Sequence, residues 1–353
     1  MNKKILAVAV SAAMFAAASV AVAGEAEVYG LVHMSLDSMS GAADDAAAGG
    51  DDGLYVSSNS SRLGVKGAEE MANGMKAIFQ YEMTVPVSNG SALSMDRNSY
   101  AGLSGNFGTV IVGRSDMPFK TAVRKFDLFG DTIGDNRSLT RLKVGGDDWA
   151  MRRSDLVMYS NKVGDVDFEI AYAVEDGTED DSDMGARVTY KGGPLTVMGA
   201  YETHGADAAM TGGTSDATGW ILAASYGLGD ITLAGGYLSV GDVNGGTGDV
   251  TGFTVAAAYK AGSSTFKVQH TAGELDTGAA SNAKGSMTAL GADYAMSKNT
   301  TLYAAYVMAD NEDGLVSKLD AGGAHDSTVT DTVNADTSNE DPSGISIGLI
   351  HKF

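Results

Sequence analysis

The chain has no cysteine, so neither a disulfide nor a thiolate-bound metal braces it, and only 4 of its 353 residues are proline. Backbone pairing and packing are left to hold the fold. Positive charge is also scarce: 24 Lys and Arg stand against 45 Asp and Glu, a formal net charge of −21. Binding a phosphate backbone needs the opposite balance, so no nucleic-acid partner is expected. There are five histidines, His33, His204, His270, His325 and His351, and none lies in a Ser-His or His-Glu-x-x-His setting. No enzyme activity and no cofactor are expected from them. Past residue 23 no run approaches the ~18–20 apolar residues that a spanning helix requires.

What is present begins with a leader. Lys3 and Lys4 precede an apolar stretch from Ile5 to Val22, which ends on Ala21-Val22-Ala23. This predicts a secretory signal peptide over 1–23, cut before Gly24, and a mature domain over 24–353. Losing the two leader lysines takes the charge from −21 to −23.

The mature part alternates. Ala77, Phe79, Tyr81, Met83 and Val85 interleave with Lys76, Ile78, Gln80, Glu82 and Thr84, and a strand places the two sets on opposite faces. The same rhythm predicts strands at 26–37, 55–67, 74–86, 95–104, 107–114, 153–162, 165–175, 184–192, 194–203, 217–227, 229–240, 250–260, 263–273, 285–297, 299–309 and 343–353. Apolarity hidden in alternation escapes a hydropathy window, and an even strand count suits a bacterial barrel. The 47 glycines fit tight turns and close contacts between strands.

Connections alternate as well. Short ones such as Lys162-Val163-Gly164-Asp165, Gly192-Gly193 and Ala261-Gly262 have turn chemistry, whereas 38–54, 115–152, 204–216 and 310–342 are long and polar. The expected fold is all-β: a 16-stranded antiparallel transmembrane β-barrel with short periplasmic turns and long external loops. Tyr159, Tyr190, Tyr226, Tyr259 and Tyr294 precede short turns and suit an interfacial girdle. A soluble β-sandwich gives the same alternation by burying one face in a core. The short-long rhythm and a closing strand that ends on Phe353 favour the barrel.

Five stretches, EVYGLVHMSLDS, SSRLGVKGAEEMANGMKAIFQYE, DRNSYAGLSGNFGTVIVGR, RRSDLVMYSNKVGD and ISIGLIHKF, together resemble the general diffusion porins of Gram-negative outer membranes. The resemblance implies residence in the outer membrane, with its lipid and lipopolysaccharide, and a homotrimer. It also implies recognition by the barrel-assembly machinery through Phe353, and passive diffusion of small polar solutes and ions. A third loop, 115–152, is expected to fold inward, and its Phe119, Phe126, Leu128, Phe129 and Ile133 need a surface to pack on.

In that loop Asp127, Asp131 and Asp135 recur every four residues, and the first two match the acidic constriction positions of such porins. The matching wall strands supply a basic cluster of Arg62 and Arg97. Arg152 is the best third member, with Arg153, Arg141 and Lys143 as competitors; Arg114 is assigned to the rim or a subunit contact. The family usually has Asn where this chain has Asp155. Loop acids such as Asp44, Asp45, Asp51, Asp52 and those over 310–341 predict a mild cation preference. Asp180-Asp181 with Asp183 offers oxygen ligands to a hard cation, but solvated charge explains it as well and no metal site is assigned. The rival functions are a substrate-specific channel and a surface adhesin or receptor barrel. The inward sets, mostly small, polar or charged, lack the aromatic ladder of a sugar channel.

Overall fold

The computed structural model describes residues 25–40, 53–137, 149, 151–174, 182–205, 216–242, 248–276, 283–312 and 341–353. The leader, Arg141, Lys143, His325, Asp180-Asp181 and most of the loop acids lie outside the described residues. The strands are β1 (Glu25–Ser40), β2 (Gly53–Ser58), β3 (Arg62–Glu70), β4 (Lys76–Thr84), β5 (Ser99–Gly105) and β6 (Gly108–Asp116). A helix, α1 (Pro118–Lys125), follows, then β7 (Arg152–Val163), β8 (Val166–Ala173), β9 (Asp183–Gly192), β10 (Leu195–His204) and β11 (Ala217–Leu228). The series ends with β12 (Ile231–Asp242), β13 (Gly248–Ala261), β14 (Ser264–Asp276), β15 (Ala283–Ala295), β16 (Thr300–Glu312) and β17 (Ser343–Lys352).

Each strand pairs antiparallel with its neighbours, and β1 closes the ring. It meets β17 from Leu31↔Lys352 to Ser40↔Ser343, while β2 and β3 share its other edge, at Met34↔Ser58 and Leu31↔Arg62. The barrel therefore has sixteen strands, the second interrupted at 59–61, where a continuous strand over 55–67 was expected. The cause is local: Ser60 adopts φ 57°, and the chain turns Asn59 and Ser61 inward. The expected strand 95–104 likewise begins only at Ser99. At the seam the backbones of Gly30 and Phe353 exchange hydrogen bonds of 2.9 and 3.2 Å, and the Phe353 ring lies over Gly30, where a Cβ would sit 2.3 Å from Cζ.

The alternation sorts as the pleat requires. Val28, Val56, Tyr81, Val112, Leu222, Val255, Leu290 and Ile347 are exposed on the outer face, where hydrocarbon surrounds a barrel of this kind. Tyr190, Tyr226, Tyr259 and Tyr294 stand outward just before short turns. Val163 pairs with Val166 around Gly164-Asp165, with Gly164 at φ 60°, the first-position glycine of a two-residue hairpin.

The inward face is not uniform. From β10 to β16 it carries Met198, Ile221, Leu238, Val240, Val250, Met287 and Val307, all buried. Between them stand Ala200, Ala223, Ala289, Ala305, Thr254, Gln269 and Thr271, so the inward sets are mostly small or polar as expected, and the larger apolar residues stand where the third loop covers this half of the wall and keeps water from it. His33, Asp37, Glu82, Gln80 and Asn98 keep the other half polar.

Candidate functional site

The third loop leaves β6 at Met117 and folds at once into α1, with Pro118 at its first turn. Phe119, Ala122, Val123 and Phe126 recur at helical spacing and are buried against the apolar wall; Phe129 and Ile133 continue the contact beyond the helix. Each of these side chains larger than alanine contributes ~1.5–3 kcal/mol by leaving water. Wall glycines make room: a Cβ on Gly291 would lie 2.6 Å from Phe129, and one on Gly219 would lie 2.6 Å from Trp149.

Polar anchors fix the register. Gln269, in β14, accepts the Leu128 N–H at 2.8 Å and donates to Asp127 at 2.9 Å and to the Gly134 carbonyl at 3.3 Å. Lys267 donates to the Leu128 carbonyl at 2.9 Å and sits 4.7 Å over the Phe129 ring. Near the start of α1, Glu202 accepts the Phe119 N–H at 3.1 Å and lies 2.8 Å from His204 Nε2. His204 stacks on Trp149, with ring centroids 3.9 Å apart. It was expected in an external loop; instead it ends β10 on the inward face, 1 % exposed.

The three loop aspartates hold the loop itself. Asp127 accepts the N–H groups of Phe129 and Asn136 as well as the Gln269 amide, and burial, reinforced by Asp135, pushes its carboxyl up to about 7. Asp135 is fully buried; it caps the Asp131 N–H at 2.7 Å and pairs with Arg137. Asp131, at φ 60°, binds Arg124 at 2.8 Å, Arg137 at 3.1 Å and the Ser60 hydroxyl at 3.2 Å. Asp131 and Asp135 are thus tied to cations of their own loop, and Asp127 to amide groups.

The basic residues do converge. Arg62, Arg97 and Arg152 line a chamber of about 360 Å³ with Glu82, Asn98 and Asp116 of the wall and Lys120, Thr121, Arg124 and Lys125 of α1. Arg97 Nε lies 2.5 Å from Glu82, which also accepts the Tyr29 hydroxyl at 2.8 Å and lies 3.8 Å from Arg62. Arg152 Nε reaches Asp116 at 3.1 Å and Asn98 at 2.8 Å; Lys120 meets the same aspartate at 3.0 Å. Burial pushes the Lys120 ammonium down to about 7; Asp116 opposes the shift, and Arg152 adds to it.

Alternation carried back from β5 puts Arg97 in phase with Ser99 and Ala101, yet those two share the outer face with Tyr81 and Phe79. Arg97 escapes that face because it precedes β5. Arg153, the competitor of Arg152, is buried against Asp183. Arg114 stands outward, bonded to the Asp96 carbonyl at 3.0 Å and to Ser154 at 2.9 Å. The cations of α1 were missed, although Lys120, Thr121, Arg124 and Lys125 form the face opposite Phe119, Ala122 and Val123.

A closed antiparallel barrel, apolar outside and narrowed by an inward loop beside a charged chamber, is a membrane-channel architecture. The family model described as Gram-negative porin matches residues 7–314, and the chain belongs to that family. It is 28% identical over 370 residues to outer membrane porin protein 32 of Delftia acidovorans, with both chains covered in full. The anion-selective porin from Comamonas acidovorans has a TM-score of 0.77 at 23% identity, covering 94% of this chain and 100% of that one. The trimer form of OmpT from Vibrio cholerae gives 0.69 at 18%, with 94% and 100% covered. At these identities the structural likeness is one of fold. The protein is an outer-membrane porin, in a family of channels and not of enzymes.

Proposed function

We propose that the chamber between α1 and the β3–β7 wall is the constriction of a general diffusion pore, and that it favours small hydrophilic anions. The observation that carries this is its charge: six cationic side chains, Arg62, Arg97, Lys120, Arg124, Lys125 and Arg152, surround it with two carboxylates, Glu82 and Asp116. A narrow passage with low-dielectric walls focuses such a field onto the permeating ion. The mild cation preference expected from the outer loops finds no support: most of those acids lie outside the described residues, and the relative in fold from Comamonas acidovorans is an anion-selective porin.

The pore assembles as a homotrimer, a reading supported by the trimer form of OmpT. Phe353 serves the assembly machinery, and lipopolysaccharide surrounds the outer rim. The test is the reversal potential of the purified protein in a planar bilayer across a potassium chloride gradient at pH 6. The sign set by chloride is expected; the sign set by potassium contradicts the proposal.

A further inference from the structure

We propose that Asp37, Asn59, Ser57 and Ser346 hold a monovalent alkali cation, sodium, inside the barrel wall beneath the tip of the third loop. Asp37 in β1 is 0 % exposed and has no ion-pair partner among the described residues. Its Oδ2 accepts the hydroxyls of Ser35 at 2.8 Å and Ser57 at 2.5 Å. Its Oδ1 is buried without a donor, and so is Asn59 Oδ1.

These oxygens belong to one cluster. Asn59 Nδ2 donates at 2.8 Å to Ser35 Oγ, the hydroxyl that donates to Asp37. Ser346 stands directly across from Asp37 in the β1–β17 pairing and is itself 0 % exposed. Ser346 Oγ is buried without a hydrogen-bond partner, like the two free oxygens of Asp37 and Asn59, and the Tyr303 hydroxyl lies 3.0 Å from His33 Nε2 in the same wall.

Charge decides the ligand. A buried carboxylate needs a compensating positive charge, which water does not supply. One carboxylate with neutral amide and hydroxyl oxygens balances a single positive charge, whereas calcium sites gather more carboxylates. No group of three or more His, Asp or Glu that could hold a metal ion exists among the described residues.

The strand break builds the site. With Ser60 at φ 57°, the run Ser57-Ser58-Asn59-Ser60-Ser61 is buried throughout, at 1–3 % exposure, and Ser60 meets Asp131 of the loop at 3.2 Å.

The experiment is thermal unfolding of the detergent-solubilised protein as sodium chloride replaces choline chloride at constant ionic strength. An ion that binds only the folded state raises the midpoint with its concentration. The wild type is expected to show that rise, Asp37→Asn to lose it, and Ser346→Ala to need on the order of tenfold more sodium. A wild type indifferent to sodium, or a variant Asp37→Asn that responds like the wild type, overturns the site. Should Asp37→Asn fail to fold, Ser346→Ala decides: an unchanged sodium response there is equally fatal.

Discussion

Lys120 is a chamber cation whose charge depends on pH. Its ammonium, pushed down to about 7 by burial, faces Asp116, Arg152 and Arg137, so the folded protein sheds that proton as pH rises through neutrality. Anion preference is therefore expected to be larger at pH 6 than at pH 8, read as the shift in reversal potential. Lys120→Arg should hold the pH 6 value at both; a pH dependence that survives the substitution would assign it elsewhere. Arg97 carries the counter-charge of Glu82, and both are largely buried. Its replacement by Ala is expected to cost about 3 kcal/mol in unfolding free energy, the lower end for a broken buried pair, because Arg62 and chamber water still stabilise the carboxylate. A loss below about 0.5 kcal/mol, the range of an ordinary surface change, would contradict that. Asp155 shows what a residue's type alone can reveal. It sits at φ 50° beside the register shift between Gly113 and Ser115, a left-handed conformation that Asp tolerates better than most residues, so a backbone demand suffices to explain it.

Among elements, the strands were legible because alternation is repeated many times and each slip would turn a whole face over. The third loop was legible only as an apolar segment. Its helix went unread because eight residues give barely two turns of period, and the basic face was overshadowed by the aspartates that follow it. Those aspartates share a spacing with a constriction face, but spacing does not say which way a loop folds, and here Arg124 and Arg137 turn Asp131 and Asp135 into struts while Gln269 holds Asp127. Gln269 was invisible in sequence, a lone amide in a strand, yet it makes three of the bonds that fix the loop. Gln269→Ala is expected to lower unfolding free energy by about 1–3 kcal/mol, since it leaves buried loop groups unpaired. It should also raise open-channel current noise in bilayer recordings. Steady current at unchanged thermal stability would show that the Gln269 bonds do not hold the loop.

For the whole molecule, closure depends on a seam of two chain ends. Gly30 and Phe353 bond backbone to backbone, and the ring occupies the place where a side chain on residue 30 would stand. Gly30→Val should displace the ring and reduce the fraction of protein that reaches the heat-resistant, compact form on a gel. An unchanged fraction would mean that the seam tolerates an uncovered edge. The barrel as a whole has two inner halves, one apolar and filled by the loop, the other polar and lining the chamber. Because the chain contains no cysteine, a single introduced thiol reports on one place only. The most direct measurement is therefore the conductance of Thr121→Cys in a planar bilayer during exposure to a negatively charged methanethiosulfonate reagent. Thr121 lines the chamber on α1, so conductance should fall in steps as the thiol is modified. A labelled protein that conducts as before would place the ion path elsewhere.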